Sequence, residues 1–134
     1  MTETHSATIL RAADLMRRRA LAATASPWQA SWRGQEYQLD GNTDNDLSPI
    51  AEWTYAIVTT EPKAAEQRAE CDTANADYIA GMQPSVALTV AKFLESSGKQ
   101  LANTGERYGT CDEPAAIESA YEIAVTYLAE EATS

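Results

Sequence analysis

Histidine, cysteine and phenylalanine are scarce in this chain of 134 residues, which has one, two and one of them, and each scarcity closes off a class of chemistry. Zinc and iron sites draw on histidine and cysteine at short, repeated spacings. His5 stands alone near the N-terminus, which excludes those geometries and makes it a poor general acid or base, so no metal ligand and no catalytic residue is assigned. Cys71 and Cys111 are read as reduced thiols filling small core positions. A chain of this length buries about two-thirds of its unfolded surface, so it needs neither a metal nor a disulfide to fold. No apolar run approaches the roughly 20 residues of a membrane span. Residues 1–20 hold Arg11, Arg17, Arg18 and Arg19 but no apolar stretch of signal-peptide type, so the expected setting is the cytoplasm, with no membrane contact. There is no phosphate-binding glycine loop, nucleophile triad, internal repeat or linker. The reading is one domain over 1–134, frayed at 1–5 and 130–134, with no cofactor.

Three short patterns imitate functional sites and fail on chemistry. Asp40, Asn42, Asp44 and Asp46 resemble the start of a calcium loop, yet the sixth and twelfth positions, which need glycine and glutamate, are Asn45 and Ala51. Ser96-Ser97-Gly98-Lys99 fits Ser-x-x-Lys without companion motifs and reads as a solvated helix end. Arg17-Arg18-Arg19 offers guanidinium groups to phosphate, but consecutive helical positions point about 100° apart and cannot line one groove. Charge argues the same way. Residues 1–33 carry five basic and two acidic side chains (+3), whereas residues 34–134 carry five basic and eighteen acidic ones (−13). An acidic body repels nucleic acid and favours basic protein surfaces.

From Ser6 to about Thr24, Ile9, Ala12, Ala13, Met16, Ala20 and Ala23 recur at helical spacing, with Ser6 as N-cap, an Asp14–Arg18 pair on the outer face and Ser26-Pro27 as the stop. Trp28, Ala30 and Trp32 then alternate with polar residues, and Gly34-Gln35 turns the chain into Tyr37-Gln38-Leu39. The polar stretch Asp40 to Pro49 reads as an exposed loop, and Trp53 to Thr60 as the third strand. Beyond Pro62, Cys71, Asn75, Tyr78, Ile79 and Met82 mark one helical face up to Gly81-Met82-Gln83-Pro84. Pro84 starts the next helix, with Val86, Val90, Phe93, Leu94 and Leu101 toward a core. The last helix starts near Asp112-Glu113-Pro114 and buries Ile117, Ala120, Tyr121, Ala124 and Leu128. The expected fold is α+β, a three-stranded antiparallel sheet packed by helices in the order α-β-β-β-α-α-α.

Two segments carry a family resemblance. One is the N-terminal helix followed by Ala23-Thr24-Ala25-Ser26-Pro27-Trp28. The other is Asn75-Ala76-Asp77-Tyr78-Ile79-Ala80 with Pro84, Val86, Ala87, Leu88 and Val90. In this order they resemble the Ead-like family of small accessory proteins found in phages, prophages and actinobacterial genomes. Ser26 stands where the family usually has glycine. The resemblance covers about half of the chain and implies a phage or prophage context and an accessory role, with no catalytic residues to carry over. The same positions also read as fold residues: Pro27 stops a helix, Trp28 leads into the sheet, Tyr78, Ile79, Val86 and Val90 pack, and Asn75 and Asp77 cap or bond within the fold.

The aromatic residues give the candidate site. Trp28, Trp32, Tyr37, Trp53 and Tyr55 concentrate in the sheet, where a face left open by the helices would bind rather than react. The expected function is non-enzymatic: binding of a host or defence protein, or a second copy of the chain, through the acidic surface or the aromatic sheet face, in the bacterial host cytoplasm. The alternative is sequestration of a nucleotide-like ligand stacked on Trp28, Trp32 or Tyr55, with Arg33 and Lys63 as the flanking cations.

Overall fold

The computed structural model describes residues 2–33, 36–43, 46–54 and 73–132. In order they form α1 (His5–Ala22), β1 (Ala25–Arg33), β2 (Glu36–Thr43), β3 (Asp46–Thr54), a helix α2 over 73–81, α3 (Pro84–Asn103), a 3-10 turn (Tyr108–Thr110) and α4 (Pro114–Ala132). The fold is α+β with the expected order of elements, and the strands form an antiparallel sheet β1-β2-β3. The chain falls into two compact units, Met1–Ala20 with Ala87–Ser134, and Leu21–Val86. No helix among the described residues is long and apolar enough to cross a membrane.

The first unit is helical. Ile9, Ala12, Ala13 and Met16 on α1, Ala91, Leu94 and Leu101 on α3, and Ile117, Ala120, Ala124 and Leu128 on α4 form one buried cluster, with Cys111 added from the connection. The spacing of threes and fours puts each set on one side of its helix. Fully buried Ile9, Leu94 and Leu101 each contribute about 1.5–3 kcal/mol of transfer free energy. Pro84 and Pro114 occupy first helical positions, where a missing N–H costs nothing. The expected stripe of α1 is buried from Ile9 to Ala20, but the helix ends at Ala22 and Ala23 is exposed; that of α4 is buried except for Tyr121, which is half-buried. On α3, Phe93 is exposed rather than buried, because it sits one position before Leu94 and turns off the stripe.

Of the ends expected to fray, His5 and residues 130–132 lie in helices. The N-cap of α1 is Thr4, not Ser6: Thr4 Oγ1 accepts the Ala7 N–H at 3.2 Å, and Thr4 O accepts the Thr8 N–H at 3.0 Å. Glu3 accepts two bonds from the Arg11 guanidinium, at 3.0 and 3.1 Å, and one from Thr8 Oγ1. At the other end α4 continues to Ala132.

Gly98 of α3 packs directly against α1. A Cβ there would lie 2.8 Å from Leu10 Cγ, 2.9 Å from Leu10 Cδ2 and 3.2 Å from Ile9 Cγ2. Alanine-lined helices need such proximity, since short side chains fill space only when backbones are near.

The second unit holds the sheet and α2. Arg33 pairs with Glu36 and Thr43 with Asp46, so two residues separate the paired ends in each hairpin. The stretch read as a loop, Asp40 to Pro49, therefore supplies the end of β2 and the start of β3. The polar composition misled because Asp44-Asn45 alone separates the paired ends. Gly41 belongs in β2 because Ile50 Cδ1 and Thr24 Cγ2 would each lie 2.6 Å from a Cβ there. Pro27 and Pro49 lie in the two edge strands beside register shifts, where a missing donor is tolerated. The third strand runs Asp46–Thr54, and the remainder of the expected strand, residues 55–60, lies outside the described residues.

The expected inner face of α2 is turned outward. Tyr78 is 70% exposed and Met82 55%, Ile79 is exposed too, and Asn75 and Asp77 are on the surface. The inner stripe is Thr73, Ala76, Ala80 and Gln83, of which Ala76 is fully buried. Small residues win these positions because they admit a neighbouring backbone, whereas hydrophobicity alone points to the larger ones. Gln83 Oε1 accepts the Trp28 N–H at 3.0 Å and Ser26 Oγ accepts the Ser85 N–H at 3.1 Å, tying β1 to the chain around the α2–α3 junction.

Replacing Gly98 by alanine tests the α1–α3 contact. Helix propensity alone would stabilise the variant by up to about 1 kcal/mol. Overpacking predicts the reverse, a loss of about 1–3 kcal/mol, read as a lower urea midpoint at unchanged slope.

Candidate functional site

The register of the sheet aligns the aromatic residues. Trp32 is opposite Tyr37, and Tyr37 is opposite Trp53, so the three positions form one row across β1, β2 and β3. Residues directly opposite one another share a face of an antiparallel sheet. The same face continues two residues along each strand as Ala30, Leu39 and Ala51, where Leu39 is buried. Trp32, by contrast, is 52% exposed, so this apolar face is closed at the leucine and open at the tryptophan. The alternating rows are polar: Ser31, Gln38 and Glu52, then Arg33, Glu36 and Thr54. Arg33 thus occupies a row of the opposite face from Trp32.

Trp28 is half-buried and committed within its unit. Its indole N–H donates to Thr24 O at 2.8 Å and its backbone N–H to Gln83. It braces the start of β1, while Trp32 is the open member of the pair. Tyr55, Lys63 and Cys71 lie outside the described residues. Asp40, first of the calcium-like set, is a buried β2 residue whose carboxylate accepts from Gln38 Nε2 at 2.8 Å. No cluster of three metal-ligating side chains occurs among the described residues.

The arginine run disperses as helical geometry requires. Arg17 pairs with Glu95 of α3, Arg18 with Asp14 at 2.9 Å, and Arg19 donates to Tyr127 Oη at 3.3 Å with its guanidinium 5.4 Å from that ring's centre. Each guanidinium has an internal acceptor in a different direction, so no shared phosphate-binding edge forms. Lys99 also pairs with Glu95, at 2.8 Å, which removes it as an activator of serine in the Ser-x-x-Lys pattern. That pattern lies within α3 and is not a solvated end: Ser97 and Gly98 are buried.

His5 is the functional residue type that sequence reasoning placed least well. It starts α1, stacks on Tyr121 with ring centres 3.9 Å apart and planes 15° from parallel, and its Nδ1 is 2.7 Å from Tyr108 Oη. Burial, and then the neighbouring Tyr121 and Glu106, push the Tyr108 hydroxyl above its ordinary value. Beside it, Glu106 accepts the Ser6 N–H at 3.1 Å and the Ser6 hydroxyl. Gly105 and Glu106 both have left-handed backbones, φ +67° and +69°, so the end of α3 turns and presents the carboxylate to the first turn of α1. For a non-glycine residue this conformation costs on the order of 1–2 kcal/mol, offset by two charge-assisted bonds at a helix N-terminus. Ser6 therefore bonds to a carboxylate and not to the imidazole, and the group acts as a cap joining distant segments. No local sequence signal announces it, because the partners are 100 residues apart.

A groove of about 390 Å³ lies between α3 and the start of α4, lined by Phe93, Ser96, Ser97, Gln100, Asp112 and Glu113 over a floor that includes Ile117. Gln100 Nε2 donates to Asp112 Oδ2 at 3.0 Å. The sequence points Phe93 toward the core and puts Asp112-Glu113 at a helix start, and their convergence appears only in three dimensions.

No family model, curated protein or solved structure matches this chain.

The doubly paired Glu95 yields a pH prediction. Its bonds from Lys99 and from Arg17 hold the carboxyl below the ordinary 4.5. A carboxyl lowered in the folded state stabilises above its unfolded value, and that contribution disappears as pH falls through the folded value. Stability should therefore decline below about pH 4.5, and Glu95→Gln should show a shallower decline in urea midpoint over that range and a lower midpoint at pH 7.

Proposed function

We propose that this chain is a non-enzymatic accessory protein of phage or prophage type that binds a host or defence protein in the bacterial cytoplasm through the aromatic row of its sheet. The observation that supports this reading is the alignment of positions 32, 37 and 53 across three strands with Trp32 half open. Tryptophan and tyrosine offer large contact area with few rotatable bonds, and they dominate binding energy where a partner excludes water around them. The acidic body, −13 over residues 34–134, suits a partner with a basic rim, where complementary charge raises the association rate. The Ead-like resemblance supports the accessory role and its setting.

Nucleotide sequestration is less well supported. The register sets Arg33 in a row of the opposite face from Trp32, so the cation proposed for the phosphate is not aligned with the proposed stacking ring.

Capture from a bacterial lysate by immobilised wild type and by Trp32→Ala, at low and moderate salt, is the test. The expected result is a retained protein whose affinity falls about 30-fold in the variant, the equivalent of about 2 kcal/mol for a central tryptophan. Because Trp32 is exposed, the variant should keep the wild-type circular dichroism and urea midpoint. Retention of nothing at either salt, or of the same protein equally by both forms, would refute the proposal. A concentration-dependent dimer abolished by Trp32→Ala would assign the face to a second copy instead.

A further inference from the structure

We infer that the row of positions 32, 37 and 53 takes a basic, proline-containing segment of the partner protein, held as a polyproline II helix; this rests on the protein-binding role proposed for the sheet and names the partner's chemistry. A sheet offers a peptide either an edge or a face. Both edges are poor here. Pro27 and Pro49 lie in the edge strands β1 and β3, beside register shifts, and the Trp28 N–H on β1 is already bonded to Gln83 Oε1 at 3.0 Å. Proline in an edge strand works against the addition of a further strand. The apolar face is closed at Leu39, 1% exposed, and open at Trp32, 52% exposed. The open ground is therefore short along the strands and runs across them, from β1 through β2 to β3.

The span of the row fits one peptide conformation. Three strands set about 4.8 Å apart carry it over about 9.5 Å. One turn of polyproline II, three residues of about 3.1 Å rise, covers about 9.3 Å, so residues i and i+3 fall over its two ends. The two-residue repeat of an extended strand, about 6.7 Å, is out of step with it. An α-helix, about 10 Å across, needs a groove of its own width, and the row beside the aromatic one is closed at Leu39. Proline rings pack on indole and phenol, and a proline segment loses little conformational entropy when bound because its backbone is already set. Charge selects the flanks. Residues 21–86, the unit that holds the sheet, carry three basic and ten acidic side chains, a net −7, so arginine or lysine beside the prolines speeds and strengthens association.

The test is a ¹H–¹⁵N NMR titration of the full chain with the peptide acetyl-Arg-Pro-Pro-Pro-Pro-Pro-Arg-amide. Two controls accompany it, one with alanine for every proline and one with glutamate for both arginines. The expected result is saturable shifts of the Trp32 indole resonance and of the amides at 32, 37 and 53, with each control binding about fivefold more weakly or less. Trp32→Ala should lose about tenfold in affinity and Trp32→Phe about threefold, both with the dispersed wild-type spectrum elsewhere. Absence of saturable shifts, equal binding of either control, or undiminished binding by folded Trp32→Ala would overturn the inference. Should lysate capture return a protein that depends on Trp32 while the proline peptide leaves the spectrum unmoved, binding of a host protein stands and the proline chemistry falls. If capture and titration both give nothing, both fall.

Discussion

The close approach of α1 to α3 at Gly98 is the constraint on which the helical unit rests. Five of its core residues are alanines, Ala12, Ala13, Ala91, Ala120 and Ala124, set among larger ones such as Ile9, Met16, Leu94, Leu101, Ile117 and Leu128. Alanine offers little area to bury, so such a core is stable only where the helices run close enough for backbone and side chain to touch directly. Once Gly98 admits Leu10 and Ile9, the polar links between α1 and α3 fall within reach: Arg17 meets Glu95, and the turn after α3 brings Glu106 to the first turn of α1. These polar links fix register more than they add stability, since exposed ion pairs contribute little in water.

The sheet unit obeys a different rule. Its two-residue side-chain period and the register of its hairpins decide everything about its faces. One step of slippage would have placed Trp32 opposite a polar residue and divided the aromatic set between both sides. The edge strands carry the prolines and the register shifts, where they do least harm, and Gly41 keeps the space that Ile50 and Thr24 fill. The apolar face is consequently graded, from a closed end at Leu39 to an open end at Trp32.

The two units thus carry surfaces of different chemistry. The sheet aligns Trp32, Tyr37 and Trp53 in one row, and the α3–α4 groove brings Phe93, Ser97, Asp112 and Glu113 together. The arginines of α1 belong to neither, because each is spent on an internal carboxylate or phenol.

By itself the sequence determined what depends on local periodicity: helical stripes at Ile9–Met16 and Ile117–Leu128, proline at the start of α3 and α4, the Asp14–Arg18 pair, strand alternation through Trp28, Ala30 and Trp32, and the α-β-β-β-α-α-α order. These follow from backbone geometry over a few residues and need no distant partner. Tertiary structure decided what depends on proximity. It chose Ala76 over Tyr78 as the inward side of α2, put 40–43 and 46–49 in strands rather than a loop, set His5 against Tyr108 and Tyr121, and gathered Phe93, Ser97 and Glu113 around one groove. The reason is that size complementarity and pairing across tens of residues outweigh the modest local preferences of polar or bulky side chains.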